Sequence, residues 1–260
     1  MSGLLRLENV TAGYGGKPVV RDVNITIERG ELCTLLGLNG SGKTTLLKAV
    51  SGLLTLDSGR CFVGEMDCTG FHEHRRARFI SHIPQRHSKM QGVPVLDVVL
   101  MGRNPHLGLL DSPTKKDLEQ ATETIEKMGL IELIDEDFAQ LSEGQKQMVI
   151  LVRTLVQDTP AMLMDEPDSA LDFLNRHRML AKIRDLIHSQ GKAGLITLHD
   201  PNFALAYCDR LILLQDGSVI GELKMKTATK DSIHGCLALI YGNIEILEHG
   251  GRYMMLQGSG

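Results

Sequence analysis

Residues 37–44 read GLNGSGKT, a glycine-rich run that ends in a lysine and a hydroxyl side chain. The apolar stretch LCTLL precedes it and TLLKAV follows it, so the pattern predicts a loop between a buried strand and a helix. Glycines let backbone N–H groups and the helix N-terminus approach an anion. We expect Lys43 to reach the β- and γ-phosphates of a nucleotide and Thr44 to ligate Mg²⁺. The other residues assigned to this site are Asn39, Gly40, Ser41, Gly42 and Thr45.

Two carboxylates end a second apolar run, AMLMDEP, at residues 161–167. Proline blocks helix continuation there, and ligands of α/β sheets bind at the carboxyl ends of parallel strands. We expect Asp165 to hold Mg²⁺, through water, and Glu166 to polarise the attacking water or accept its proton. An exposed acidic turn is the alternative, but the phosphate loop makes it the weaker one.

A third motif, LSEGQKQ at residues 141–147, opens the apolar helical pattern MVILVRTLVQD. Ser142 and Gln145 have the spacing of a capping box. A capped helix start with a glycine nearby is itself an anion site, although the absence of a well-placed lysine predicts weak binding on its own. An ordinary capped helix is the alternative.

The elements that must position these motifs are short apolar runs alternating with helical patterns, which predict a mostly parallel sheet with helices outside it. The expected parallel strands are Leu32–Leu36, Phe79–Pro84, Ala161–Asp165, Gly194–Leu198 and Leu211–Leu214. Two antiparallel strands, Leu4–Val10 and Val19–Ile27, are expected before them around a turn at Gly13–Gly16. Asp216-Gly217 predicts a hairpin turn before Val219–Glu222.

Between Arg86 and Gln140 no strand pattern is convincing, and this region is expected to be a helical insertion. Helical stretches are predicted at Val95–Met101, Lys115–Met128 and Leu130–Ile134. The segment after Met225 has no clear pattern. HEHRRAR, residues 72–78, is interpreted as a solvated helix face rather than a metal or anion patch.

LSEGQ resembles the signature motif of ABC ATPases, which is usually LSGGQ, and the resemblance covers roughly Leu4 to Glu222. It implies an α/β fold of the P-loop NTPase class: an ABC-ATPase domain with an N-terminal antiparallel β subdomain and an inserted helical subdomain. The implied parts are residues 1–85, the first part of the core; 86–156, the helical subdomain with the signature helix; 157–225, the second part of the core; and 226–260, a C-terminal extension.

The resemblance also implies a homodimer with shared nucleotide sites. ATP and Mg²⁺ bound at GLNGSGKT of one copy would be capped by LSEGQ of the other, through Ser142, Gly144 and Gln145. This arrangement accounts for two phosphate-suited helix starts in one chain.

Four single positions match the same family. Tyr14 lies where an aromatic ring stacks on adenine, and Gln85 where a glutamine senses Mg²⁺ and the attacking water. Asp172 matches the loop that crosses to the partner copy, and His199 the switch histidine on the γ-phosphate. The alternatives are a turn aromatic, a solvated loop glutamine, a helix-start acid and a structural histidine, respectively.

Three positions depart from the family pattern. Glu143 replaces the common glycine of the signature, Asp168 stands where threonine is common, and Pro201 where leucine or methionine is more usual. These departures put rate and regulation in question rather than the basic chemistry.

No apolar run reaches the roughly 18–20 residues of a spanning helix, so the chain is expected to touch a membrane only through a partner. The five cysteines form no C-x-x-C pair and are expected to be reduced. The net charge of −4, without a basic block, argues against nucleic acid as the main partner.

VVLMGRNPHLGLL, residues 98–110, and YCDRLILLQDG, residues 207–217, resemble ATPases of importers for ferric siderophores, haem and cobalamin. This implies peripheral binding at the cytoplasmic face of a prokaryotic membrane, with two permease subunits and, indirectly, an extracytoplasmic binding protein. Gly102, an exposed Arg103 and Pro105 could receive a permease helix, or could simply end a helix. The rival function is a soluble, non-transport ABC ATPase of iron–sulfur assembly or nucleic-acid processing.

Overall fold

Strands and helices alternate along the residues that the computed structural model describes, which are 3–85, 90–108 and 110–258. The strands are β1 (Leu5–Tyr14), β2 (Lys17–Ile27), β3 (Glu31–Leu36), β4 (Ser58–Val63), β5 (Met66–Asp67), β6 (Ile80–Ile83), β7 (Ala161–Asp165), β8 (Ala193–Thr197), β9 (Arg210–Gln215), β10 (Ser218–Lys224), β11 (Ile244–His249) and β12 (Arg252–Gln257). The α-helices are α1 (Lys43–Ser51), α2 (Glu73–Arg76), α3 (Val95–Leu100), α4 (Lys115–Lys127), α5 (Glu143–Val156), α6 (Phe173–Gln190), α7 (Pro201–Tyr207) and α8 (Lys230–Tyr241).

The central sheet has six strands in the order β10-β9-β3-β8-β7-β6, and all neighbours except β10 and β9 run parallel. Every residue of β7 and β8 is buried, because helices cover one face of the sheet and α1, together with β1 and β2, covers the other. The predicted parallel strands are confirmed to within one or two residues at each end. Their carboxyl ends therefore meet along one edge, where the phosphate loop and the acids follow β3 and β7.

A second sheet, β2-β1-β4-β5, is antiparallel. Strands β1 and β2 precede α1, as expected, whereas β4 and β5 follow α1 and were not predicted. Gly15 and Gly16, with φ of 58° and 73°, form the two-residue turn that pairs Tyr14 with Lys17. Strand β1 runs four residues beyond its predicted end at Val10. Register shifts between Leu7 and Gly13 interrupt the regular pairing of β1 with β2. The alternation of apolar and polar residues therefore did not predict the full length of the strand.

The predicted helical insertion contains α3, α4, α5 and 3₁₀-helices at Met101–His106, Ile131–Leu133 and Phe138–Gln140. Within the described part of residues 90–140 no strand forms. After α3 the chain tightens into the 3₁₀-helix at Gly102, where a Cβ would lie 2.2 Å from the backbone O of Arg153. The close approach of this 3₁₀-helix and α5 therefore requires glycine. Arg86, at the predicted subdomain boundary, and Leu109 lie outside the described residues.

The C-terminal segment, which has no clear periodic pattern in sequence, folds as a 3₁₀-helix (Met225–Thr227), α8 and the hairpin β11–β12. Asn202 on α7 exchanges two hydrogen bonds with the backbone of Met255 on β12, of 2.7 and 3.2 Å. The extension is thereby fixed to the helix that follows β8. No helix within the described ranges is long and apolar enough to cross a membrane.

The interpretation of residues 72–78 as a solvated helix face is wrong at Arg76, which is 2% exposed. Its guanidinium donates hydrogen bonds to the backbone O atoms of Ala49 and Val50, at the end of α1, and of Cys68 and Thr69. A cation at a helix C-terminus is favourable, and here it also satisfies buried carbonyl groups. Arg76 thus ties the helix of the phosphate loop to the antiparallel sheet.

Candidate functional site

The phosphate loop joins β3 to α1 and turns on two glycines, Gly40 and Gly42, with φ of 82° and 106°. A Cβ on Gly42 would lie 2.8 Å from Val20 Cγ1, so space and backbone conformation both require glycine. Lys43 is 7% exposed, and its Nζ donates hydrogen bonds to the backbone O atoms of Gly37 and Leu38, at 2.7 and 3.2 Å. Burial lowers the Lys43 pKa, and the nearby Glu166 and Asp165 carboxylates oppose that shift.

The start of α1 is suited to an anion. Its N-cap, Gly42, supplies no side chain to the first N–H groups of the helix, and no acidic residue lies in the first turn. The Ser41 hydroxyl is buried and has no hydrogen-bond partner in the described part of the chain. Phosphate oxygens would satisfy both sets of donors. The loop therefore fits the triphosphate that its sequence predicts.

Three residues predicted to be catalytic meet at one carboxylate. Oε2 of Glu166 accepts a hydrogen bond from Nε2 of Gln85 and lies 2.8 Å from Nε2 of His199. The Glu166 side chain is 7% exposed, whereas that of His199 is 56% exposed. No hydrogen bond in the described part occupies Oε1 of Glu166. The carboxylate is thus oriented through one oxygen while the other is left for a reactant.

Thr197, the last residue of β8, was not predicted as a site residue, and its side chain is fully buried. Its hydroxyl donates a hydrogen bond to Oδ1 of Asp165 and accepts one from the backbone N of Glu166, both 2.9 Å. Glu166 has φ of 49°, so this N–H belongs to a backbone in the left-handed region. The signal available in the sequence was a hydroxyl residue in an otherwise apolar strand, directly beside the acids in the sheet.

A divalent cation at this edge would need oxygen ligands from more than the protein. Among the described residues no group of three or more His, Cys, Asp or Glu side chains is arranged to hold a metal. Oδ2 of Asp165 is free of hydrogen bonds within the described ranges, and Thr44 lies on α1, which packs against β7. One carboxylate and one hydroxyl beside phosphate oxygens and water fit Mg²⁺, which usually keeps several waters.

The capping box predicted for LSEGQ is confirmed at the start of α5. Ser142 Oγ accepts a hydrogen bond from Gln145 N at 3.3 Å, and Gln145 Oε1 accepts one from Ser142 N at 2.9 Å. The carboxylate of Glu143 pairs with Lys146 at 2.8 Å. This ion pair offsets the negative charge that the departure from the usual glycine adds near Gly144.

The residues predicted to act across a dimer make other hydrogen bonds within their own chain. No hydrogen bond or ion pair of the described part joins Ser142, Gly144 or Asp172 to Lys43 or Glu166. Asp172 caps α6 by accepting a 2.8 Å hydrogen bond from Asn175 N, and Tyr14 is 50% exposed at its turn. Their nucleotide contacts remain predictions.

The expected exposure of Arg103 is wrong. The 3₁₀-helix after α3 turns its side chain inward, so that it is only 19% exposed. Nε lies 2.7 Å from Oδ1 of Asp117 at the start of α4, and Nη1 donates to the backbone O of Val156 at the end of α5. Arg103 therefore joins three helices of the insertion, while Gly102 is buried and Pro105 half-buried beside it.

Comparison with known proteins gives a consistent result. The family described as ABC transporter matches residues 20–169. An iron chelatin transport ATP-binding protein of Helicobacter pylori is 32% identical over 97% of this chain and 98% of its own length. The cassette of a metal-chelate type ABC transporter, solved in an inward-facing conformation, superimposes with a TM-score of 0.82 at 26% identity, over 98% of this chain and 97% of its own. A dimeric bacterial ABC transporter cassette has a TM-score of 0.75 at 26% identity, over 85% and 98%.

Proposed function

The chain belongs to the ABC transporter family as an ATP-binding and ATP-hydrolysing subunit, and on this premise we propose that it powers import of a metal chelate through partner permeases. The cargo is inferred from the iron chelatin and metal-chelate descriptions of its relatives. Cargo would contact the permeases and not this chain, so the site itself does not distinguish a ferric siderophore, haem or cobalamin.

The proposed working unit is a homodimer that holds ATP between two copies. Lys43 and the N–H groups of the phosphate loop bind the β- and γ-phosphates, and Tyr14 stacks on adenine. Ser142 and Gly144 of the second copy cap the γ-phosphate. Two observations support this: the α5 start is capped and glycine-containing, and no hydrogen bond of the described part joins it to the phosphate loop of its own chain. A dimeric relative supports the stoichiometry.

Glu166 is the proposed general base. Gln85 and His199 hold Oε2, which turns the acid so that Oε1 can accept the proton of a water attacking the γ-phosphate. His199 also donates toward the phosphate when ATP is present. Because this chemistry needs little more than position and charge, the rate gain comes from fixing these groups in advance.

Mg²⁺ would be held by Thr44, Gln85 and, through water, Asp165 beside the phosphates. The ion, when bound, supplies positive charge that offsets negative charge on the phosphate oxygens. The hydrogen bond from Thr197 keeps Oδ1 of Asp165 in place and leaves Oδ2 toward the site.

Two permease subunits and peripheral binding at the cytoplasmic face of a prokaryotic membrane complete the proposal. The surface next to the 3₁₀-helix Met101–His106 is the proposed contact, through exposed neighbours such as Met101 and Asn104 rather than Arg103. Purification of the complex from its native membrane tests this. We expect two copies of a many-helix permease; recovery with soluble proteins alone would refute the transport role and leave the ATPase intact.

The convergence of Gln85 and His199 on Glu166 carries the proposed mechanism, and Glu166→Gln tests it. We expect ATP binding and an ATP-dependent dimer to persist in sedimentation velocity, while hydrolysis falls by about 100-fold or more. Glu31→Gln is the matched control, because Glu31 is 14% exposed and hydrogen-bonded to Arg210 at the opposite end of β3. Its hydrolysis should equal that of the unmodified chain. Normal turnover in Glu166→Gln would remove the acid from the mechanism.

A further inference from the structure

An ion pair lies in the loop that joins β7 to α6, two residues after Glu166. The Asp168 side chain is 6% exposed, and its Oδ2 lies 3.2 Å from Nε of Arg176. Nη2 of the same guanidinium donates a 3.3 Å hydrogen bond to the backbone O of Leu171. Arg176, on the first turns of α6, therefore braces this loop at two points.

The guanidinium of Arg176 also reaches the helix that follows His199. Its Cζ lies 5.2 Å from the ring centroid of Phe203, a cation–π contact with a residue of α7 that is 6% exposed. The next residue, His177, packs on the same ring at 4.9 Å and hydrogen-bonds the Tyr207 hydroxyl at 2.6 Å. Helices α6 and α7 are thus joined directly behind the two loops that supply Glu166 and His199.

The backbone transmits the position of Asp168 to Glu166. Ser169 N donates to the backbone O of Glu166 at 3.2 Å, and Leu171 N donates to the backbone O of Asp168 at 3.1 Å. These tight turns leave little freedom between the ion pair and the acid. A shift of the Asp168 side chain would therefore move the Glu166 backbone.

A contribution to folding stability does not by itself explain the ion pair between Asp168 and Arg176. Burial raises the pKa of the Asp168 carboxyl, and Arg176 opposes that rise. Removing two charges from water costs about as much free energy as their mutual attraction contributes. Replacing a buried ion pair by apolar side chains of similar size therefore often leaves folding stability unchanged.

We propose that Asp168 and Arg176 are positioning residues that hold Glu166 within reach of His199 for hydrolysis. This inference rests on the proposed role of Glu166. Arg176 also neutralises Asp168, which would otherwise repel the Glu166 carboxylate from nearby. The pair acts on turnover and not on nucleotide affinity, because neither side chain belongs to the phosphate loop.

The test is the ATPase kinetics of the full chain with Arg176→Met, Asp168→Asn and the double variant. We expect kcat to fall by about 10- to 100-fold, since a misplacement of about 1 Å can cost that much, with KM and ATP affinity within about threefold. The double variant should lose no more than the worse single variant. Arg176→Lys, which retains the charge, should recover at least part of kcat.

Lys192→Met is the matched control, because Lys192 is 6% exposed and pairs with Asp158 at 3.0 Å at the opposite edge of the central sheet. It should lower the midpoint of thermal unfolding as Arg176→Met does, but leave kcat unchanged. Wild-type kcat in Arg176→Met and Asp168→Asn, or an effect confined to KM, would overturn the inference while leaving the role of Glu166 intact. If Arg176→Met does not fold, the kcat values of Arg176→Lys and Asp168→Asn test the inference instead. Absence of turnover in the unmodified chain would instead count against the proposed function.

Discussion

Replacing Thr197 with valine removes one hydroxyl and preserves the branched shape of the side chain. Thr197 is fully buried at the end of β8, and its hydroxyl serves both Asp165 Oδ1 and Glu166 N at 2.9 Å. Valine leaves a buried N–H group unsatisfied, at about 1–3 kcal/mol, and removes a hydrogen bond to a carboxylate, at about 1.5–3 kcal/mol. A newly buried methyl group returns about 0.8 kcal/mol. We therefore expect Thr197→Val to lower the free energy of unfolding by about 2–5 kcal/mol.

Urea unfolding followed by circular dichroism, without nucleotide, measures this loss. Thr34→Val is the matched control, since Thr34 is also fully buried, lies on the adjacent strand β3, and its hydroxyl has no nitrogen or oxygen partner in the described part. The neighbouring Cys208 thiol is a weak hydrogen-bonding group, so this control should change stability by less than about 1 kcal/mol. Thr197→Ser retains the hydroxyl and should lose about 1 kcal/mol, for the missing methyl group.

Thr197→Val should also lose ATPase activity, because the Thr197 hydroxyl holds the backbone of Glu166, the proposed base. Thr197→Ser should retain more activity than Thr197→Val, because serine keeps the hydroxyl and valine does not. If Thr197→Val proves as stable and as active as Thr34→Val, the hydrogen bonds of the Thr197 hydroxyl do not hold Asp165 and Glu166 in place.

Two further predictions concern buried cations and protons. Arg76→Met removes the hydrogen bonds that its guanidinium donates to four backbone carbonyl groups, of which those of Ala49 and Cys68 keep a backbone N–H donor. At about 0.5–1.5 kcal/mol for each bond, the change should cost about 2–6 kcal/mol in urea unfolding. Arg75→Met, which loses an exposed cation–π contact with Phe71, should cost under about 1 kcal/mol, and equal losses would contradict the assignment. Burial lowers the pKa of His82 to about 4 from an ordinary 6.5, so the unfolded chain binds more protons between these values and stability falls as pH decreases through that window. His82→Gln should flatten this part of the pH dependence of the urea midpoint, and an unchanged slope would refute the role of His82.

The parallel sheet and its motifs could be predicted because their signals are local. The phosphate loop combines glycines, Lys43 and Thr44 within eight residues, and β7 is an uninterrupted apolar run that ends in acids. Ser142 and Gln145 form a capping box that depends only on spacing three residues apart. In each case neighbours in sequence are also neighbours in space.

The side chains that support the site could not be predicted in the same way, because their partners are distant in sequence. Arg76 and Arg103 lie in polar stretches and were interpreted as exposed, yet each finds carbonyl or carboxylate partners supplied by distant elements. The hairpin β11–β12 was missed for a different reason. Its Gly250-Gly251 turn, with φ of 58° and 73°, repeats the signal at Gly15-Gly16, but its strands are mostly exposed and lack a clear apolar face.

Glu166 is held more firmly than a surface acid needs to be. Its φ of 49° costs about 1–3 kcal/mol for a residue of this type, and such a conformation persists only when its surroundings fix it. Thr197 holds its N–H group, while Gln85 and His199 hold Oε2. Thr197 ends β8, His199 follows β8 and Gln85 follows β6, so the two strands that flank β7 both supply partners of the acid. Because Gln85 precedes the helical insertion, a displacement of that region would reach the carboxylate through one hydrogen bond. Nucleotide and the proposed permease contact would then both act on the same acid.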